Sequence, residues 1–502
     1  GARRGLNCDL LVVGGGINGA GITRDAAGRG LDVHLVERDD LASHTSSAST
    51  KLIHGGLRYL EQYEFRLVRE ALAERERLLR IAPHIIRPLR FVLPYAPGMR
   101  PRWLLRLGLF VYDHLERRER LAASRELDLR DGNAHDVLDA RLTRGFEYSD
   151  CWVEDSRLVV LNALDAAERG AHIHTRTRLI SLEARGDRWH AVCRDERGET
   201  FTLQPRAVAN AAGAWVNDVV ALAGLTPRVQ VRGVKGSHLI FPRLYAGEHA
   251  YLLQGADRRV VFLIPFEERY TLVGTTDLPF DGDAAAPHIT TEEARYLCDC
   301  INGYLARPVQ PGDAVGAYSG VRALVDDDES QAQKVSRDYR LELQQDGTPP
   351  LLTVYGGKIT TYRRLAEHAL EHLLPALDRD IGDSWTASAP LPGGDFDGDV
   401  ERVETGLRKS WPALDPSLLR RFAHTYGTRT HRLLQSVRTP ADLGREFGLG
   451  LTERELRYLR ETEWARNADD VLRRRTRLGL QADAALTAAV NDYFSTNARS
   501  MT

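Results

Sequence analysis

A glycine-rich hexapeptide, Gly14-Gly15-Gly16-Ile17-Asn18-Gly19, is the first group of residues in the chain with a definite chemical use. It fits the pattern GxGxxG, with Gly14, Gly16 and Gly19 in the three fixed places. The first glycine permits a sharp turn, the second lets backbone approach a pyrophosphate, and the third lets a helix pack close to a strand. The N-terminus of that helix then faces the phosphates. Glu37 follows 18 residues after Gly19, where a carboxylate can accept hydrogen bonds from ribose hydroxyls. Loop and acid together predict a dinucleotide site for a cofactor without a 2′-phosphate. The fingerprint alone leaves FAD and NAD both open.

These residues need a strand before them and a helix after them. The run Cys8-Asp9-Leu10-Leu11-Val12-Val13 reads as a buried parallel strand, a helix is expected from about Asn18 to Arg29, and a second apolar run, Val33 to Val36, ends at Glu37. Further on, helical spacing over 64–84 stops at Pro83, and 173–210 alternates as short strands with turns at 185–187 and 196–198. Residues 226–345 are again strand-rich, as in Val260 to Ile264 and Tyr270 to Val273. The stretch Pro390-Leu391-Pro392-Gly393-Gly394-Asp395 marks a linker, and 399–495 is helical in pattern. The fold class expected is α/β: a doubly wound, Rossmann-type nucleotide domain interleaved with a β-rich domain, plus a helical C-terminal domain.

A chain of 502 residues is too long for one core. Its 68 basic and 70 acidic side chains leave a net charge of −2, no field to attract nucleic acid. Cys8, Cys151, Cys193, Cys298 and Cys300 form no CxxC pair, so free thiols in a reducing compartment are expected, and no metal site. No run approaches the ~20 apolar residues of a membrane span. The first residues, Gly-Ala-Arg-Arg-Gly-Leu, lack an apolar leader and an initiating methionine, and trimming is expected there. Only five of the basic residues are lysine: Lys51, Lys235, Lys334, Lys358 and Lys409. Retained against an arginine bias, they are candidates for places that want a compact ammonium.

Three segments carry a family resemblance. Val13 to Gly21, continuing to Asp25 and Arg29-Gly30, resembles the N-terminal signature of FAD-dependent glycerol-3-phosphate dehydrogenases. So does Ser46-Ser47-Ala48-Ser49-Thr50-Lys51-Leu52-Ile53-His54-Gly55-Gly56-Leu57-Arg58-Tyr59-Leu60, and Gly356-Gly357-Lys358-Ile359-Thr360-Thr361-Tyr362-Arg363 is similar to the family's second signature. Asn210 to Trp215, Lys235 to His238, Gly274 to Asp277, Ser319 to Arg322 and the stretch from Glu463 to Arg477 follow in the same order, so the likeness runs over nearly the whole chain. It is strongest to the aerobic, respiratory bacterial branch. Ala211 and Ala214 replace a small polar residue and a proline of the family pattern, and Ala323 replaces a proline; no chemical group is lost.

The resemblance implies an FAD-binding domain over 1–85, 150–225 and 345–388, a substrate domain over 86–149 and 226–344, and the helical domain over 395–502. It implies oxidation of sn-glycerol 3-phosphate at C2 to dihydroxyacetone phosphate, with hydride passing to flavin N5 and electrons to a membrane quinone. Cofactor contacts are expected from Gly14, Gly16, Asn18, Gly19, Ala20, Glu37, Ser46, Ser47, Ser49, Leu179, Ala212, Gly213, Gly357, Lys358, Ile359 and Thr360. For the phosphate dianion, Arg322 offers a planar fork and Lys358 a point charge, with Arg58, Tyr59 and Thr275 as further contacts. His54, between Ile53 and two glycines, is the favoured base for the alcohol proton, because imidazole ionises near neutrality; His238 is its rival.

Residues 97–120, an apolar aromatic stretch fringed by Arg100, Arg102, Arg117, Arg118 and Arg120, can rest on an anionic leaflet or be a buried helix. The expected location is cytoplasmic, peripheral on the inner face of the membrane; a homodimer is left open. The competing readings are a glycerol-3-phosphate oxidase that reduces O2 and a flavin-dependent amine or amino-acid oxidase whose carboxylate Arg322 would clamp. The run Arg473-Arg474-Arg475 is expected to be a solvated or ion-paired face.

Overall fold

The strand Leu6–Val13 is buried from Cys8 onward because it has a parallel neighbour on each side, Val33–Val36 and Thr200–Asn210. A strand covered on both faces carries no polar alternation, which is why its sequence reads as one apolar run. The structure, a computed structural model, describes residues 5–57, 60, 63–130, 137–325, 339–377 and 381–499. Among these, the first sheet has strand order Arg340–Gln344, Leu351–Tyr355, Thr200–Asn210, Leu6–Val13, Val33–Val36, His172–His174. Its central pairings are parallel, as in a doubly wound fold. The hairpin Thr177–Arg185 and Arg188–Asp195 joins it through Thr200–Asn210, with turns where Gly186 and Gly198 take positive φ. The short strands expected over 173–210 begin with His172–His174 and Thr177–Arg185.

Helix Ile17–Gly28 packs on this sheet beside two helices from far along the chain, Asp155–Glu168 and Tyr362–Leu377. Helix Asp155–Glu168 is buried on every side over its first three turns. An all-round buried helix has no amphipathic period, so no helical spacing marks it in the chain.

The second sheet is mostly antiparallel. Its core is Val231–Pro242 between Tyr270–Gly274 and Gly316–Val325, extended through Val260–Phe266, Ala250–Gln254, Ile86–Pro94 and Arg144–Val153. Leu52–Ile53 and the end of Arg144–Val153 pair here although both ranges were expected in the nucleotide domain. Helix Thr291–Asn302 interrupts a region read as strand. Its signal was legible: Thr290 caps the amide of Glu293 while the Glu293 carboxylate accepts the amide of Thr290.

The C-terminal region is helical over Val400–Ser410, Pro416–Tyr426, Glu453–Thr462 and Ala484–Arg499, with a small hairpin at Glu446–Gly448 and Leu451–Thr452. It has its own core, including Leu407, Phe422, Leu456, Val471 and Val490. The arginine run is ion-paired, and two of its members are buried. Arg474 and Arg475 both bind the carboxylate of Asp40, three residues beyond Glu37, at 2.8 Å, and Arg475 also donates to the Glu463 carbonyl at 2.7 Å. A π-helical turn over Asp470–Arg475 aims them there, with the Thr476 amide reaching back to the Val471 carbonyl.

Burial works against ionising Asp40, but the two guanidiniums outweigh it and hold the carboxyl below the usual range. That contribution is therefore present above the ordinary carboxylate pKa and fades as pH falls through the depressed one. Arg475→Ala leaves buried Asp40 with Arg474 as its one remaining guanidinium and is expected to cost about 3 kcal/mol. Urea unfolding at neutral pH should show the loss, and the gap from wild type should narrow in acid.

Candidate functional site

Gly14 closes the first strand with φ +111°, and its amide bonds the Val36 carbonyl at 2.9 Å. A Cβ here would lie 2.4 Å from the Ala211 carbonyl oxygen, and one at Gly19 would lie 1.8 Å from the Gly14 carbonyl oxygen. As it stands, the turn has no room for a side chain at either place. At Gly16 the nearest atom to a Cβ is Ser46 Oγ, 3.0 Å away on the cavity side. Ser46 Oγ accepts the Ile17 amide at 2.9 Å, at the first residue of the helix.

This loop opens on a cavity of about 380 Å³. Gly14, Gly16, Asn18, Glu37, Ser46, Ser49, Leu179, Ala212, Gly213, Gly357, Lys358 and Ile359 line it, and so do His54, His238, Thr275 and Arg322. One space thus brings together most of the residues that the sequence singled out for cofactor and substrate. Four are placed elsewhere. Gly19 sits under the Gly14 carbonyl and Ala20 lies in the core. Ser47 donates to the His44 carbonyl, a local turn bond, and Thr360 Oγ1 accepts the His54 amide at 3.2 Å. Arg58 and Tyr59 lie outside the described residues.

The two glycine loops are tied across the cavity: Asn18 Nδ2 donates to the Gly356 carbonyl at 3.2 Å. Glu37 accepts the Gly15 amide at 2.6 Å and the Asp39 amide at 2.8 Å. Its burial raises the carboxyl pKa, and those two amides pull it back.

His54 is held by its backbone. The next amide, of Gly55, bonds Tyr112 Oη at 2.9 Å, Tyr112 donates to Asp150 at 2.8 Å, and Arg75 pairs with Asp150 at 2.7 Å, all buried. Leu72 and Tyr112 occupy the space of a Gly55 Cβ, so the glycine permits that close approach. Across the cavity, Arg322 is on strand Gly316–Val325, its guanidinium 2.6 Å from Asp277 Oδ1.

His238 sits on the paired strand, stacked on Tyr318 at 4.6 Å, with Nε2 2.9 Å from Thr50 Oγ1 and Nδ1 buried without a partner. Burial, then the charges of Lys51 and Arg322, push its pKa down to about 3. Two of the retained lysines are buried ion-pair partners: Lys51 with Asp155 at 2.8 Å and Lys235 with Glu293 at 2.9 Å.

The profile of the FAD dependent oxidoreductases matches residues 9–363, and that of the C-terminal domain of alpha-glycerophosphate oxidase matches 384–496. A glycerol-3-phosphate dehydrogenase of Pseudomonas aeruginosa is 52% identical over 475 residues, 94% of this chain and 92% of the relative. The chain belongs to the FAD-dependent glycerol-3-phosphate dehydrogenase family. A D-erythritol 1-phosphate dehydrogenase of Brucella abortus is 49% identical over 494 residues, 97% of each chain. Among solved structures, the FAD complex of a glycerol-3-phosphate dehydrogenase from Bacillus halodurans superposes with a TM-score of 0.76 at 26% identity, covering 97% of this chain and 91% of that one.

As a member of the family the protein is an oxidoreductase with FAD as its cofactor, and its own residues fit that group. Gly16 lines the cavity at a helix N-terminus, Asn18 Oδ1 is buried without a partner beside the loop, and the Glu37 carboxylate lines the same cavity. Sequence reasoning overlooked Arg38, His44 and Trp215. They wall the cavity as a stack, with the Arg38 guanidinium 3.8 Å from the Trp215 ring centre and His44 edge-on at 4.9 Å. The only signal was adjacency, Arg38 to Glu37 and Trp215 to the Ala-Ala-Gly turn.

Gly19→Ala forces the Gly14 carbonyl aside, an overpacking of about 1–3 kcal/mol that falls on the phosphate turn. The variant is expected to purify with a reduced flavin-to-protein absorbance ratio while keeping its far-ultraviolet circular dichroism.

Proposed function

We propose that the protein oxidises the C2 alcohol of sn-glycerol 3-phosphate to dihydroxyacetone phosphate and delivers the electrons to a membrane quinone. The observation that carries this reading is the shared cavity: Arg322, Lys358 and His54 line the same space as the dinucleotide turn. Bound FAD supplies the acceptor for the hydride that leaves C2. The remaining tasks belong to side chains. Arg322, steadied by Asp277, presents a fork to two phosphate oxygens, and Lys358 adds a second cation. His54 takes the C2 hydroxyl proton as the hydride departs, so that C2 becomes a neutral carbonyl rather than a protonated one. Ile359, Leu52 and Val321 line the same cavity and keep water from the reacting carbon.

The Brucella relative supports a second reading, a four-carbon polyol phosphate oxidised by the same groups. An anaerobic absorbance experiment separates the two. sn-Glycerol 3-phosphate is expected to bleach the oxidised flavin bands within the turnover time, and D-erythritol 1-phosphate more slowly. The reverse order would overturn the substrate. Reoxidation by a soluble quinone faster than by air supports the dehydrogenase; faster reoxidation by air would make it an oxidase.

For delivery to a quinone, helix Arg102–His114 presents Trp103, Leu107 and Phe110 on one side, 68%, 49% and 52% exposed. Their spacing of four and three residues aligns them on one helix face. No helix among the described residues is long and apolar enough to cross a membrane, so this face would rest on a leaflet rather than span it. The protein is expected to float with anionic vesicles, and the variant carrying Trp103→Ser, Leu107→Ser and Phe110→Ser to stay in the dense fraction. Equal flotation of both would remove the helix from the reading.

A further inference from the structure

At the outer edge of the first sheet, strand Val33–Val36 runs parallel to His172–His174, with His34 opposite His172 and Val36 opposite His174. Residues two apart on a strand share a face, so His172 and His174 point the same way. The ring of His34 is stacked on His172 at 4.4 Å and on His174 at 5.2 Å. Its two nitrogens have different neighbours. Nδ1 lies 2.9 Å from His174 Nε2, while Nε2 faces the Asp32 carboxylate at 3.9 Å. One ligand atom from each of Asp32, His34 and His172 falls within 4.8 Å of the others.

We propose that Asp32, His34 and His172 form a binding site for a divalent transition-metal ion, with His174 orienting His34. Two imidazole nitrogens and a carboxylate are the donor set of zinc and its neighbours, and they leave a fourth position for water. With the ion on Nε2, the Nδ1 of His34 carries the proton and donates it to His174 Nε2. This is the outer hydrogen bond that fixes tautomer and ring direction in histidine metal sites. His34 is buried, whereas Asp32 and His172 are exposed, so an ion can enter from solvent without opening the fold. The ligands straddle two strands and have no thiolate, so cysteine spacing could not have revealed them. The ion would pin the edge strand to the strand that ends at Glu37, whose amide already bonds the His174 carbonyl at 2.9 Å. The site is structural: it touches neither the cavity nor the reacting atoms.

The test uses full-length, FAD-loaded protein without a histidine tag, stripped with a chelator and titrated with Zn2+ by calorimetry. Zinc is then measured by elemental analysis after gel filtration. One retained equivalent is expected, with a rise in the thermal midpoint and no response to Mg2+. Asp32→Asn and His172→Gln change exposed side chains, so both variants should keep their flavin and their metal-free midpoint. Each should weaken zinc binding by about 10- to 100-fold or more. A second cluster, Glu37, Asp39 and His44, also has metal-ligand spacing and lies against the cavity, so His44→Gln is the control. Unchanged binding in His44→Gln supports the edge site. The proposal is overturned if the wild type retains no stoichiometric zinc, if Asp32→Asn and His172→Gln bind as it does, or if His44→Gln is the variant that loses the ion.

Discussion

Arg322→Ala is expected to lower kcat/KM for sn-glycerol 3-phosphate by about 10²- to 10³-fold, equivalent to about 3–4 kcal/mol. The size follows from two effects at one place. The variant loses a two-pronged, charge-assisted grip on the phosphate. It also leaves Asp277, 2.6 Å from the guanidinium in the wild type, without that cation beside an incoming dianion. Arg322→Lys restores the charge without the fork and should recover only part of the loss. Asp277→Asn removes the support and keeps the cation, and its defect should be smaller than that of Arg322→Ala. Steady-state kinetics with matched flavin content checks all three. A kcat/KM within threefold of wild type for Arg322→Ala would take this residue out of the substrate site.

His54→Ala is expected to lower kcat by about 10²- to 10⁴-fold, the usual worth of a positioned general base. The diagnostic is the pH profile. A base must be unprotonated to act, so the wild-type profile should carry an acid limb that depends on this residue. The variant should lack that acid limb and rise only with hydroxide. His238 makes the comparison decisive. Burial and two nearby cations push its pKa down to about 3, so it is neutral around pH 7. A limb near neutrality therefore does not belong to it. His238→Gln should leave the shape of the profile intact, whatever it does to the rate. If the acid limb survives in His54→Ala, the base lies elsewhere.

What the sequence made legible is local in the chain. The turn from Gly14 to Gly19 and the acid at Glu37 are separated by one helix, and each glycine answers a steric demand that reappears as an atom-to-atom distance. Long-range pairings were not legible. Asn18 meets the Gly356 carbonyl across 338 residues, and Lys51 meets Asp155 across 104; neither partner carries a mark of the other. The serine-rich loop was legible as a group but not residue by residue. Ser46 reaches a helix amide, Ser49 donates to Asp155 at 2.7 Å, and Ser47 turns back on its own loop. Those choices depend on the fold around the loop rather than on serine. Helix Asp155–Glu168 escaped because total burial erases periodicity. The arginine run was expected to be a solvated or ion-paired face; it is ion-paired, but two of its members are buried on Asp40, more than 430 residues earlier.

That last contact has a consequence for how the enzyme is made. The loop after Glu37 that walls the cavity is anchored at Asp40 by side chains at 474 and 475, and Arg176 is held by Asp470 from the same turn. During synthesis the strand, the glycine turn and Glu37 leave the ribosome first. The anchors that set the pocket wall leave only after almost everything else has been translated. The complete wall of the cavity is therefore assembled only once the C-terminal domain has been made. A chain that stops before residue 470 has the whole glycine turn and Glu37 but lacks the side chains that anchor the wall beside them.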